Sequence, residues 1–195
     1  MPYKKLLITS FEPFGGESVN ASLLAVSALP DKIGGFEIHK LTLPVVFGRA
    51  AELAIEYAES RGVDAVLATG QAAGRAAVTP ELVAVNIQYA RIPDNDGNCP
   101  SDAPVIAGGR EAYFSTMPIR RMAEAAAVAA LCTVSYSAGA YVCNDVYYRL
   151  LHRFHGTHVR VGFIHVPVTP EQGSPSLVTA DAVSALTRAI EALDM

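Results

Sequence analysis

Apolar residues along this chain fall into short, nearly unbroken runs of Val, Ile, Leu and Ala, separated by segments with helical periodicity. Runs without a polar face predict strands covered on both sides, as in a largely buried sheet. The pattern places strands near residues 5–9, 37–43, 65–68, 82–89, 133–136 and 159–166. It places helices at 21–29, capped by Asn20 and stopped by Pro30, and at 49–61, closed by Gly62. Further helices are predicted at 118–131 and 176–193, and one more carries Cys143 in its first turn, runs to His155 and ends at Gly156. Residues 90–109 are different, because Pro93, Asp94, Asn95, Asp96, Gly97, Asn98 and Pro100 exclude regular structure. Unstructured connections of that length are usually functional or mobile. Alternating strands and helices make this an α/β chain, and its 195 residues fit one domain spanning 1–195.

Composition narrows the classes. With 17% charged residues, a net charge of -4 and no basic stripe, the chain is not read as a nucleic-acid binder. Mean hydropathy is positive at +0.27, yet no apolar run reaches the roughly 18 residues that span a bilayer, so the excess belongs to the buried sheet. Residues 1–10 pass from Lys4 and Lys5 into a strand-like run without the features of a signal peptide, which predicts a cytoplasmic protein. Cys99, Cys132 and Cys143 form an odd set with neither CxxC nor metal-ligand spacing, so a disulfide framework is not expected.

A thiol in the first turn of a helix faces unpaired amides and the positive end of the helix dipole, which favour its ionised form. Cys143 is in that position, and a depressed thiol value is expected there. On spacing alone a packed core cysteine fits better, because Cys143, Tyr147, Leu150 and Phe154 share one helical stripe. Cys99 lies in a polar loop and Cys132 at the start of an apolar run, where ionisation is disfavoured. His165 ends an apolar strand just before Val166-Pro167, at the strand end where open α/β sheets bind ligands, although a hydrogen-bonded core histidine also fits. Glu81 opens an apolar segment after the Thr79-Pro80 turn; alone it reads as a solvated strand-end carboxylate, and beside a histidine it would orient the ring. His152, His155 and His158 are not read as a metal site, since Gly156 interrupts their helix and no carboxylate supports them. Residues 70–74 lack dinucleotide-binding spacing, and no phosphate-binding GxxxxGK[ST] occurs.

Five segments in order resemble the pyroglutamyl peptidase I family, also called pyrrolidone carboxyl peptidases. They are Phe11-Glu12-Pro13-Phe14-Gly15-Gly16, Gly70-Gln71, Ala90-Arg91-Ile92-Pro93-Asp94-Asn95, Tyr141-Val142-Cys143-Asn144 and Phe163-Ile164-His165-Val166-Pro167. The resemblance runs nearly end to end. It implies an α/β three-layer sandwich around a twisted mixed sheet, similar to that of purine nucleoside phosphorylases. It implies a cytosolic, cofactor-free thiol protease, an omega peptidase often tetrameric, that cleaves after an N-terminal pyroglutamyl residue. The family's Glu, Cys and His would be Glu81, Cys143 and His165. Phe11, Phe14, Ile92, Tyr141 and Val142 would wall the lactam ring, the Gln71 backbone would bind it, and Arg91 would serve the oxyanion region or be an ordinary salt-bridged loop arginine. Ala73, Pro80, Ala140-Tyr141 and Val168 depart from the usual pattern without removing a triad member. A non-catalytic module binding pyroglutamyl peptides is the alternative on the same fold.

Overall fold

Two-sided burial of the strand runs is what organises the molecule, seen here in a computed structural model that describes residues 3–193. Parallel strands β1 (Lys4–Phe11), β3 (Phe36–Leu43), β4 (Ala65–Gln71) and β8 (Arg160–Val166) form the centre of a six-stranded sheet ordered β2-β3-β1-β4-β8-β5. The short edge strands β2 (Lys32–Ile33) and β5 (Thr79–Pro80) run antiparallel to their neighbours and make the sheet mixed.

Successive strand residues point to opposite faces and enter different cores. Leu7, Val66, Ala68, Val161 and Phe163 pack with helices α2 (Arg49–Arg61) and α4 (Val142–Arg153), while Leu6, Ile8, Ala65, Leu67, Ile164 and Val166 pack with α1 (Ala21–Ser27), α3 (Ile119–Ala126) and α5 (Thr179–Glu191). The result is a helix–sheet–helix sandwich. Asn20 caps α1 by accepting from the Ser22 amide at 3.0 Å, and Gly62 ends α2 in the left-handed conformation that favours glycine. Chain order reverses at β1, which lies between β3 and β4, so a crevice opens beyond the carboxyl ends of these strands.

Three expectations change. The strand expected at 82–89 shrinks to β6 (Val83–Val85), paired with β7 (Ala112–Phe114), because the buried Asn144 side chain takes backbone partners that a neighbouring strand would otherwise supply. Its Oδ1 accepts from the Val85 amide at 3.0 Å, and its Nδ2 donates to the Val85 and Ile87 carbonyls at 2.9 and 3.0 Å. The segment 133–136 makes a single isolated bridge, Ser135 with Glu81. The helix expected to reach 131 ends at Ala126, since the chain around it is drawn to the sheet edge: the Val78 amide donates to the Leu131 carbonyl and the Thr133 amide to the Val78 carbonyl. Among the described residues no helix is long and apolar enough to cross a membrane.

Candidate active site

Three backbone elements deliver the site's polar groups to one place. His165 lies near the end of β8, opposite Gly70 of β4 and Thr79 of β5. Glu81 follows β5 directly, and its amide donates to the Phe163 carbonyl at 2.8 Å, which fixes the carboxylate against β8. Cys143 is the second residue of α4 and brings its sulfur against Gly70 of β4. Gly70 is where they meet: a Cβ there would stand 2.8 Å from Cys143 Sγ, 3.1 Å from Phe163 Cζ and 3.3 Å from His165 Cδ2. A contact below 3.0 Å forces something to shift, so a side chain at this strand position would displace the sulfur from the space it shares with the imidazole.

Glu81 Oε1 and His165 Nδ1 form a hydrogen bond of 2.8 Å, with both side chains almost wholly buried. That bond leaves Nε2 as the other ring nitrogen, free of a protein hydrogen bond, on a ring that borders the sulfur. Burial works to raise the Glu81 carboxyl, but the hydrogen bond and charge of His165, with Ser135 and Arg75, outweigh it and hold the group below its ordinary value. For His165, burial dominates and lowers the imidazole despite the opposing carboxylate. Cys143 departs from the sequence expectation: burial, reinforced by the Glu81 charge, pushes the thiol up to about 12, with Arg75 pulling the other way. These directions favour a carboxylate, a neutral ring and a neutral thiol in the free site at neutral pH.

A cavity of about 320 Å³ opens over the thiol. Phe11, Phe14, Gln71, Arg91, Tyr141 and Val142 line it with Cys143 and His165. Tyr141 anchors its aromatic wall, packing edge-on to Phe47 at 5.3 Å and tilted against Phe14 at 6.2 Å, while its hydroxyl donates to the Pro93 carbonyl. Ile92 is placed elsewhere: it lines an adjoining cavity with Phe14, Tyr89, Arg91, Gly139, Ala140 and Tyr141, and is about half exposed. Arg91 borders both cavities and makes no hydrogen bond or ion pair with the described residues, so it is not a salt-bridged loop arginine. The amides of Val142, Cys143 and Asn144 precede the first α4 bond, from the Asp145 amide to the Tyr141 carbonyl, and have no acceptor among the described residues.

Sequence reasoning missed two contributors. Arg75 lines the cavity and donates to Glu81, although nothing in the turn after Gly74 signals that reach. Asp94 is buried and accepts from the amides of Phe47, Asp96 and Asn98 and from the Asn98 side chain, binding the 93–98 loop to the segment before α2. Its clue was visible, since an Asp before an Asn-rich turn is a typical local acceptor. His152, by contrast, is hydrogen-bonded to the Tyr113 hydroxyl at 2.9 Å and stacked on Tyr148.

A family model described as pyroglutamyl peptidase matches residues 4–194. The chain belongs to the pyroglutamyl peptidase family. It is, by that membership, a cysteine exopeptidase. Among curated relatives, the pyrrolidone-carboxylate peptidase of Enterococcus faecalis is 46% identical over 86% of this chain and 80% of its own length. That of Levilactobacillus brevis is 44% identical over 97% of both chains. The crystal structure of pyroglutamyl peptidase I from Bacillus amyloliquefaciens superposes with a TM-score of 0.94 at 39% identity, covering 99% of this chain and 96% of that one. The pyrrolidone carboxyl peptidase from Thermococcus litoralis gives 0.91 at 36%, covering 97% and 93%.

Proposed function

We propose that this chain hydrolyses the bond after an N-terminal pyroglutamyl residue, with Cys143 as nucleophile, His165 as general base and then acid, and Glu81 as the group that orients the ring. The observation that carries this reading is the buried Glu81–His165 hydrogen bond on a ring that shares the space above Gly70 with the sulfur. Because thiol and imidazole both start neutral, the proton moves as the substrate is attacked, rather than beforehand in a standing ion pair. The sulfur forms a bond to the pyroglutamyl carbonyl carbon while His165 takes the thiol proton. Unpaired amides at the start of α4 receive the oxyanion. Collapse breaks the carbon–nitrogen bond, and the amine leaves with the proton from His165. Water, deprotonated by the same ring, then cleaves the thioester, and the proton returns to the sulfur.

Pyroglutamate is a neutral lactam, so its pocket needs apolar walls with a few fixed polar groups and no acidic anchor. Phe11, Phe14, Tyr141 and Val142 supply such walls, the Gln71 backbone binds the lactam, and the unpaired Arg91 serves the oxyanion region. The protein acts in the cytoplasm, needs no cofactor, and assembles as a homo-oligomer, with a tetramer as the form the family suggests. Parallel assays with a pyroglutamyl chromogenic amide and its prolyl counterpart test the reading. Release from the first alone is expected; equal release from both, or from neither, would refute it.

A further inference from the structure

The connection between β4 and β5 folds Arg75 back over the carboxylate. Its Nη1 donates to Glu81 Oε1 and to Thr79 Oγ1, both at 2.6 Å, and its Nη2 donates to the Ser137 carbonyl at 3.1 Å. The carboxylate oxygen it holds is the one that also binds His165 Nδ1. Oε2 is buried and has no donor in hydrogen-bond geometry; the Ser135 hydroxyl, which helps hold the carboxyl low, donates to the Ser137 carbonyl. A cation and the imidazole thus converge on a single atom, at the wall of the cavity that holds the thiol.

A buried carboxylate bonded to an imidazole favours the imidazolium, and a ring that is already protonated cannot take a proton from sulfur. A cation fixed to the same oxygen offsets that pull. We propose that Arg75 is a positioning residue of this site: it locks Glu81 as an ionised, single-oxygen acceptor and offsets its charge, so that the ring of His165 begins each cycle neutral and able to receive the thiol proton. This rests on the roles proposed above for Glu81, Cys143 and His165. The titratable and charged groups around the ring are Glu81 after β5, Arg75 from the β4–β5 connection, and Cys143 and Tyr147 from α4, the last donating to the Glu81 carbonyl at 2.9 Å. Phe163, packed on the ring at 4.7 Å, carries no charge. Arg75 is the member of the set that is positive and bonded to Glu81; Arg91, the other cation lining the cavity, makes no hydrogen bond to Glu81 or His165.

The test is the pH profile of kcat/KM on a pyroglutamyl chromogenic amide for the unaltered enzyme, Arg75→Gln and Arg75→Lys. Glutamine keeps an N–H donor and removes the charge. Its acid limb should move up by about one pH unit, the lower end of what a charge at this range does. Lysine keeps the charge without the planar fork, so it should hold the limb in place with a lowered rate. An unmoved limb in Arg75→Gln, with activity reduced equally at every pH, would mean a merely structural tie and overturn the proposal. Nitrogen-15 titration of the His165 ring in the unaltered enzyme gives a second readout, needed if the glutamine variant does not fold. A neutral ring at pH 7 is expected, and an imidazolium there would overturn the proposal. Absence of hydrolysis by the unaltered enzyme would instead defeat the catalytic reading itself.

Discussion

The two halves of the site are built by different means. The polar half, Glu81, His165 and the ground under Cys143, stands on strand ends and a helix start whose backbones are fixed by the sheet and by the Glu81 amide bond to β8. The recognition half is made of loops, and its rigidity comes from side chains: Asp94 gathers the 93–98 turn, the Asn95 amide donates to the Val45 carbonyl, and Tyr141 reaches the Pro93 carbonyl. Reacting groups need sub-ångström placement, which regular elements supply. A pocket for a small lactam tolerates more play, and loops allow it to open. Substitutions in the first half should therefore act on kcat, and those in the second on KM.

Replacing Cys143 by alanine should have the largest effect, lowering kcat by about 10⁴-fold or more while leaving thermal unfolding nearly unchanged. Residual turnover within about tenfold of normal would remove the sulfur from the mechanism. Gly70→Ala comes next, because its methyl group would enter the space held by sulfur and ring. A displacement of that size costs about 10²-fold in kcat, and overpacking destabilises by about 1–3 kcal/mol. A KM effect with normal kcat would show that the ring and sulfur need not share that space.

Across the divide, Asp94→Ala strips buried and partly buried amides of their acceptor. Stability should fall by about 2 kcal/mol or more, and KM should rise roughly tenfold with kcat changed less than about threefold. Calorimetry and steady-state kinetics read these separately. A collapse in kcat would join the loop to the reacting half.

Protonation sharpens the same contrast. Glu81 and His165 are both held below their ordinary values in the folded chain, so the unfolded chain binds protons more readily in acid. Their contributions are present above the unfolded values of 4.5 and 6.5 and are lost as pH falls through the folded ones. Melting temperature should begin to drop below about 6.5, and the acid limb of kcat/KM should also lie below the ordinary imidazole value. Since burial pushes the thiol to about 12, no alkaline limb from Cys143 is expected near neutrality. A limb between 7 and 9, moved by a Cys143 substitution into another nucleophile, would contradict that placement. Asp94 is likewise held low, against its burial, by Asn98 and the backbone donors, so its protonation in acid should loosen the same loop that Asp94→Ala does, with stability and KM as the readouts rather than kcat.

What the sequence disclosed follows the same line. The central strands were readable because both faces are buried, which writes a continuous apolar run into the chain. The segment after the edge strand was not: residues 82–89 look like a strand, yet beyond the short pairing with β7, Val85 finds its partner in the Asn144 side chain, 59 residues away, and no local pattern encodes such a side-chain substitute. Cys143 and His165 could be suspected from their places at an element's start and end, whereas the convergence of Arg75 and His165 on one oxygen of Glu81 is a tertiary fact. The raised thiol also escaped sequence reasoning, because helix position is local and burial is not.

Ile92 gives the smallest expected effect and the finest test of the division. It was expected to wall the ring, but its side chain lies in the adjoining cavity, 48% exposed, with Cδ1 3.7 Å from where a Cβ on Gly15 would be. A side chain so placed contributes little buried area to a ligand over Cys143, so Ile92→Ala should change KM by less than about twofold if the loop keeps this position. Gly15, beside Ile92, takes a left-handed conformation at φ 64, and Arg91 of that second cavity has no hydrogen-bond or ion-pair partner among the described residues, so few fixed contacts oppose a change of position there. A KM increase of about tenfold would therefore mean that Ile92 swings onto the lactam when substrate binds. In that event the recognition half is completed by its ligand, and the reacting half alone is preformed.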